Sequence, residues 1–153
     1  MFDDQPVRGD LDGHVENMLD LLNDYDISLS EGTPEDSRQQ LSIMTDLSTA
    51  EPEDVDTVED VEIPAAGDGE DPIPARVYAP AGEGHPTVTY FHGGGFVAGD
   101  IDTHDPLCRM LANRAEAVVV SVEYRKAPEA AWPEPIKDAY AGAQWTSRNA
   151  DEY

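Results

Sequence analysis

The sequence predicts an α/β fold, and three stretches carry the prediction. Residues 117–122 (Ala-Val-Val-Val-Ser-Val) are apolar on both faces, as in a strand enclosed within a sheet. A helical pattern at 105–115, with Leu107, Met110, Leu111 and Arg114, separates that strand from another at 87–91. Strand, helix and strand in this order make a βαβ unit. A further helix starts at Pro133, where proline suits the first helical turn, and ends near Asn149. Its inward face is expected to carry Ile136, Ala139, Tyr140 and Ala143.

The remaining elements follow from periodicity and turn chemistry. Leu11, Val15, Met18, Leu19 and Leu22 fall at helical spacing, which predicts a helix over about 11–25. A second helix begins after Thr33, which can cap. Pro34 suits its first position, and Glu35 and Asp36 suit its first turn. It extends to about Leu47, with Leu41, Met44 and Leu47 on one face. Two short amphipathic helices cannot bury their faces on each other alone, so both are expected to lie on a larger body. Residues 50–60 form an acidic connector. Strands at 58–63 and 73–78 then flank a turn at 66–69. The division expected is 1–50 for the two leading helices and 51–153 for the sheet-bearing portion. No internal repeat or low-complexity tract is present.

Charge narrows the function classes. The chain of 153 residues has a formal net charge of -24, from 33 acids against 9 basic residues. Residues 1–71 hold 22 of the acids and only 2 of the basic residues. A phosphate backbone needs a basic face, so nucleic acid is excluded as a partner, and so is an electrostatic membrane anchor. Only two lysines occur, Lys126 and Lys137. An acidic, lysine-poor surface stays hydrated where salt screens repulsion, so a salt-loving source is expected. The single cysteine, Cys108, permits no internal disulfide and is expected in the core. The start, Met-Phe-Asp-Asp, has no signal-peptide pattern, and the longest apolar run is too short to span a bilayer. A cytoplasmic location is expected.

Chemistry concentrates at His92-Gly93-Gly94-Gly95-Phe96, directly after the strand at 87–91. Three consecutive glycines lose much conformational entropy on folding, so they belong where the backbone must turn unusually or approach a ligand closely. Backbone N–H groups there can converge to hold the negative oxygen formed when a carbonyl is attacked. A phosphate-binding loop would require a following Lys-Ser/Thr or a second spaced glycine pattern, and neither is present. A plain flexible loop is the bland alternative. The acids, histidines and Cys108 lack metal-ligand spacing, and no cofactor is called for. His14 and His85 are expected to be solvated, and His104 to hydrogen-bond at a helix start.

The surrounding residues resemble the hormone-sensitive-lipase-like esterases of the α/β-hydrolase fold. Beyond the glycine loop, the resemblance rests on Gly99-Asp100, Asp102-Thr103-His104-Asp105, Cys108-Arg109, Ser121-Val122-Glu123-Tyr124-Arg125, Ala127-Pro128-Glu129 and Asp138-Ala139-Tyr140. It extends back to Ile73-Pro74-Ala75-Arg76-Val77-Tyr78, and is weak over the first 50 residues. The resemblance implies the N-terminal part of an α/β-hydrolase: two cap helices, then about four strands and two helices. Gly94 and Gly95 would donate to the oxyanion and Gly93 would shape the turn. His92 would brace the loop, with Asp100 and Tyr124 in support. Two departures are visible: Lys126 stands where leucine is usual, and Ala130-Ala131 replace His-Pro before Trp132-Pro133.

The family's nucleophile is a serine within Gly-x-Ser-x-Gly, followed in the chain by its acid and histidine. None of the seven serines here has that setting; Ser121, for one, lies in the strand at 117–122. No triad member is therefore expected among these residues, and the chain alone is expected to be inactive. Two readings stand. In one it supplies the oxyanion and cap half of an esterase acting on a small ester, completed by a longer reading frame or a second polypeptide. In the other it is a non-catalytic remnant or binding module of the same fold. In the usual strand order the strand at 87–91 would have a bare edge, which predicts self-association or a completing partner.

Overall fold

A computed structural model describes residues 12–24, 32–47, 51–65, 67, 71–150 and 152. Its elements are α1 (Gly13–Asp24), α2 (Pro34–Leu47), β1 (Thr57–Ile63), β2 (Ile73–Ala79), β3 (Thr87–Phe91), α3 (Asp105–Ala115), β4 (Val118–Val122) and α4 (Glu134–Arg148). The ends expected for the first helix, Leu11 and Tyr25, lie outside the described residues, as does most of the turn at 66–69.

The four strands form one mixed sheet in the order β1-β2-β4-β3. β1 runs antiparallel to β2, with Thr57 opposite Ala79 and Ile63 opposite Ile73. β2 is antiparallel to β4, and β3 is parallel to β4 from Thr87–Val118 to Phe91–Val122. β4 is thus enclosed on both sides, and all five of its residues are buried. β3 is the edge.

Alternation along the strands builds two cores. Ile73, Ala75, Val77, Ala79, Val118, Val120 and Val122 face α4, where Ala141 and Trp145 meet them. Tyr78 and Val119 face α3, packing on Cys108 and Ala112. Because side chains in a strand alternate with period two, each strand feeds both layers. Burial pushes the Cys108 thiol up to about 11, so it is an inert core group.

One expected helix face is wrong. Ile136, Tyr140 and Ala143 of α4 are exposed, while Pro135, Asp138, Ala141, Gly142 and Thr146 are buried. Helix and sheet approach so closely that a methyl group on Gly142 would stand 2.8 Å from Val122 Cγ2. The contact stripe therefore takes small residues at its closest approach, while Ile136 and Tyr140 are exposed. Asp138 is buried on this side because the Arg125 backbone N–H and guanidinium both donate to its carboxylate, at 2.7–2.9 Å. Pairing and hydrogen bonding make a buried carboxylate tolerable.

The two leading helices lie more shallowly than expected. Val15 and Leu19 of α1 are exposed, and α2 has no fully buried residue. Thr33 caps α2 as expected: the Asp36 N–H donates to its hydroxyl at 3.2 Å, and the Thr33 N–H donates to the Asp36 carboxylate at 2.8 Å. This reciprocal pair is a capping box closed by aspartate. The Thr33 hydrogen bonds hold the Asp36 carboxyl below its usual range. No helix among the described residues is long and apolar enough to cross a membrane.

Candidate active site

The parallel pairing of β3 with β4 delivers two loops at the same end of the sheet. β3 runs into the glycine loop, and β4 runs into residues 123–131. In the first loop φ is +124° at Gly94, +62° at Gly95, +62° at Phe96 and +85° at Gly99. A Cβ on Gly94 would lie 2.0 Å from the Ala98 carbonyl oxygen, so only glycine fits there. Val97 and Ala98 donate to the Gly94 carbonyl at 3.1 and 2.9 Å, closing the turn. Among the described residues, no acceptor takes the N–H of Gly94 or Gly95. Those two donors remain available to a ligand.

His92 is buried behind the loop. Its ring stacks on Tyr124 at 4.3 Å between centroids, and its Nδ1 lies 2.9 Å from the Gly93 carbonyl. The Tyr124 hydroxyl donates to the His92 carbonyl at 2.6 Å. Burial holds the imidazole below its usual pKa, so the ring is neutral at pH 7. Gly99 is needed at this point, since a Cβ there would stand 2.6 Å from His92 Nδ1 and 2.3 Å from the Gly93 oxygen. Asp100 closes the following turn by accepting the Thr103 N–H at 2.7 Å. Burial would raise its pKa, but the Thr103 hydrogen bonds and the Lys126 charge hold it below the usual range.

The glycine loop separates two open cavities. One, of about 510 Å³, lies toward α2 and is lined by Ser37, Leu41, Gly93, Gly94, Gly95 and His104, among others. The other, of about 360 Å³, lies toward the β3 edge, with Phe91, Phe96, Tyr124, Ile136 and Ala139 in its wall. A reacting carbonyl in either cavity would be next to the free glycine donors.

The site contacts of Arg38 escaped the sequence reading, which singled out Lys126 only as a departure from the family pattern. Arg38 of α2 reaches Val97, Ala127 and Glu129. The one signal for it was its rarity, as one of two basic residues among residues 1–71, which says nothing of its partners. Lys126 donates to the Gly99 carbonyl at 2.6 Å and is paired with Glu123, whose other oxygen accepts the Ile101 N–H at 2.8 Å. His104 stands at the start of α3 as expected and hydrogen-bonds there with Thr103 Oγ1 at 3.1 Å rather than with the helix backbone, and it also lines the cavity. His85 is half-buried rather than solvated, lying between the Glu116 and Ala81 carbonyls at 2.9 and 3.2 Å. Nothing is described of the His14 side chain. Among the described residues, no cluster of three metal-ligating side chains occurs.

Sheet order, flanking helices and the loop after β3 define an α/β-hydrolase fold. Residues 88–153 match the family described as alpha/beta hydrolase fold. The chain is 50% identical over 82 residues to esterase LipI of Mycobacterium tuberculosis, a match covering 51% of this chain and 26% of that protein. It is 48% identical over 87 residues to carboxylesterase NlhH of the same species, covering 56% and 27%. Among solved structures it resembles the thermostable carboxylesterase EstE1, cloned from a metagenomic library, with TM-score 0.71 and 44% identity over 79% of this chain and 41% of that one. A hyperthermophilic esterase from the archaeon Pyrobaculum calidifontis gives TM-score 0.76 and 39% identity, covering 93% and 45%. The match thus spans about a quarter of those curated relatives and under half of those solved chains.

Proposed function

We propose that this chain is part of a carboxylic ester hydrolase of the hormone-sensitive-lipase-like group, supplying its oxyanion hole and part of its cap. The observation that carries this reading is the pair of unaccepted N–H groups at Gly94 and Gly95, beside a cavity at the mouth of a parallel strand pair. The substrate is a small ester. A serine from outside these residues attacks its carbonyl carbon, and the carbonyl oxygen takes up negative charge. Gly94 and Gly95 donate to that oxygen, Gly93 shapes the turn, and His92, Asp100 and Tyr124 keep the loop in place. Loss of one such donor typically slows the reaction ~100- to 1000-fold. The triad serine, acid and histidine are supplied by further sequence or by a second polypeptide. That portion covers the β3 edge, where Phe91, Phe96 and Ile136 are exposed. The acidic, lysine-poor composition supports a requirement for high salt.

The test is hydrolysis of p-nitrophenyl butyrate in multimolar KCl, with a fluorophosphonate label alongside. The 153-residue chain alone is expected to show neither turnover nor label, and a protein that also carries a Gly-x-Ser-x-Gly segment is expected to show both. Stoichiometric labelling of the chain alone would overturn the assignment of the nucleophile to other residues. A non-catalytic binding module is the second reading, favoured by the absence of that serine motif here. It gains if the completed protein binds ester analogues without turning them over.

A further inference from the structure

We propose that Arg38 is the positioning residue that fixes the cap helix α2 in register with the glycine loop; what the loop does rests on the esterase reading above. The guanidinium spends its donors on two different loops. Nε donates to the Val97 carbonyl at 2.8 Å, and one terminal nitrogen donates to the Ala127 carbonyl at 3.0 Å. Both terminal nitrogens also meet the Glu129 carboxylate, at 2.9 and 2.7 Å, in a two-pronged pair. Val97 in turn donates its N–H to the Gly94 carbonyl, and Ala127 donates its N–H to the Phe96 carbonyl. A continuous path therefore runs from α2 through Arg38 and Val97 to Gly94, with a second through Ala127 to Phe96.

Arg38 by itself gives the helix polar ties to Val97, Ala127 and Glu129. α2 contributes no fully buried side chain, and the contact of Thr45 Oγ1 with the Thr103 carbonyl is longer, at 3.4 Å. Ser37 and Leu41, flanking Arg38 on the helix, line the same cavity as Gly93, Gly94 and Gly95. Whatever sets the depth of Arg38 therefore sets how far this wall stands from the oxyanion donors. A lysine could supply the charge but not the planar fork that reaches two carbonyls and a carboxylate together.

Amide hydrogen exchange and ¹H–¹⁵N spectra of the full 153-residue chain test this. In Arg38→Ala, α2 amides should exchange about tenfold faster or more, while α3 and β4 amides stay within about twofold. The Gly94 and Gly95 resonances should move, and Arg38→Lys should restore them only in part. Should Arg38→Ala fail to fold, Glu129→Gln leaves both carbonyl contacts in place and should give the same local pattern at smaller amplitude. Unchanged α2 exchange, a uniform rise across the chain, or unmoved glycine resonances would each overturn the proposal. None of these readouts needs turnover, so a failed esterase assay and a failed latch are distinguishable.

Discussion

Replacing Gly142 with alanine sets two effects against each other. In an open helix interior this change stabilises by about 1 kcal/mol, because alanine has the higher helix propensity. Here the new methyl would stand 2.8 and 3.1 Å from the two γ-carbons of Val122 and 3.5 Å from a Phe91 ring carbon. Val122 is fully buried and β-branched, so it cannot rotate away freely. Overpacking of this kind costs about 1–3 kcal/mol. The balance is a net loss of up to about 2 kcal/mol, or a fall in Tm of up to roughly 8 °C for a chain of this size. Thermal unfolding by circular dichroism at fixed salt measures it. A double-mutant cycle with Val122→Ala identifies the cause: the new methyl should fill the vacated space, so the double variant should be less destabilised than the two singles summed, by ~0.5 kcal/mol or more. A raised Tm for Gly142→Ala would refute the steric argument, and strict additivity would refute the choice of Val122 as the obstacle.

Three further outcomes are expected. Asp138→Ala removes the acceptor of the Arg125 N–H and one carboxylate partner of its guanidinium, which keeps Glu134 at 3.1 Å; because Arg125 is also 40% exposed, the loss should fall at the low end of the ~3–5 kcal/mol seen for broken buried pairs, measurable by urea unfolding. Gly94→Ala must rebuild the loop, so in a protein that carries the nucleophile kcat should fall ~100-fold or more, while Gly95→Ala, with nothing within 4 Å of its Cβ, should be the milder variant. The Arg38 hydrogen bond holds the Glu129 carboxyl at about 2, below its ordinary 4.5. A depressed folded-state pKa adds stability that is complete above the unfolded value and is lost as pH falls through the folded one. α2 exchange should therefore accelerate between about pH 4.5 and 2, and Glu129→Gln should flatten much of that step, leaving the Asp36 contribution.

Much of this architecture was legible in the residues because the β-strands and α3 have unambiguous periods. β3 and α3 match their expected bounds, and the double-sided apolar run at 117–122 identified the enclosed strand. The inward face of α4 was misread because apolar size and helical spacing cannot reveal how closely a helix approaches a sheet. Gly142, Ala141 and the paired Asp138 occupy the contact, against the usual expectation for a carboxylate. At the candidate site, the glycines announced themselves through the entropy they forfeit. Arg38 and Lys126 did not, since their partners are backbone carbonyls 59 and 27 residues away along the chain, which no local pattern encodes.

The common exit of β3 and β4 has a practical consequence for directed evolution. Ala131 and Trp132 lie on an exposed rim after β4, outside the hydrogen-bonded ladder, and Trp132 is 82% exposed. Saturation libraries at these codons would vary an exposed loop, and libraries at Ser37 and Leu41 would vary a cavity wall, while every strand pairing stays intact. Substitutions at Gly94, Gly99 or Gly142 would instead disturb the glycine loop or the helix–sheet contact, because a side chain there would have to displace neighbouring atoms. The scaffold thereby separates what selection can vary from what it must keep.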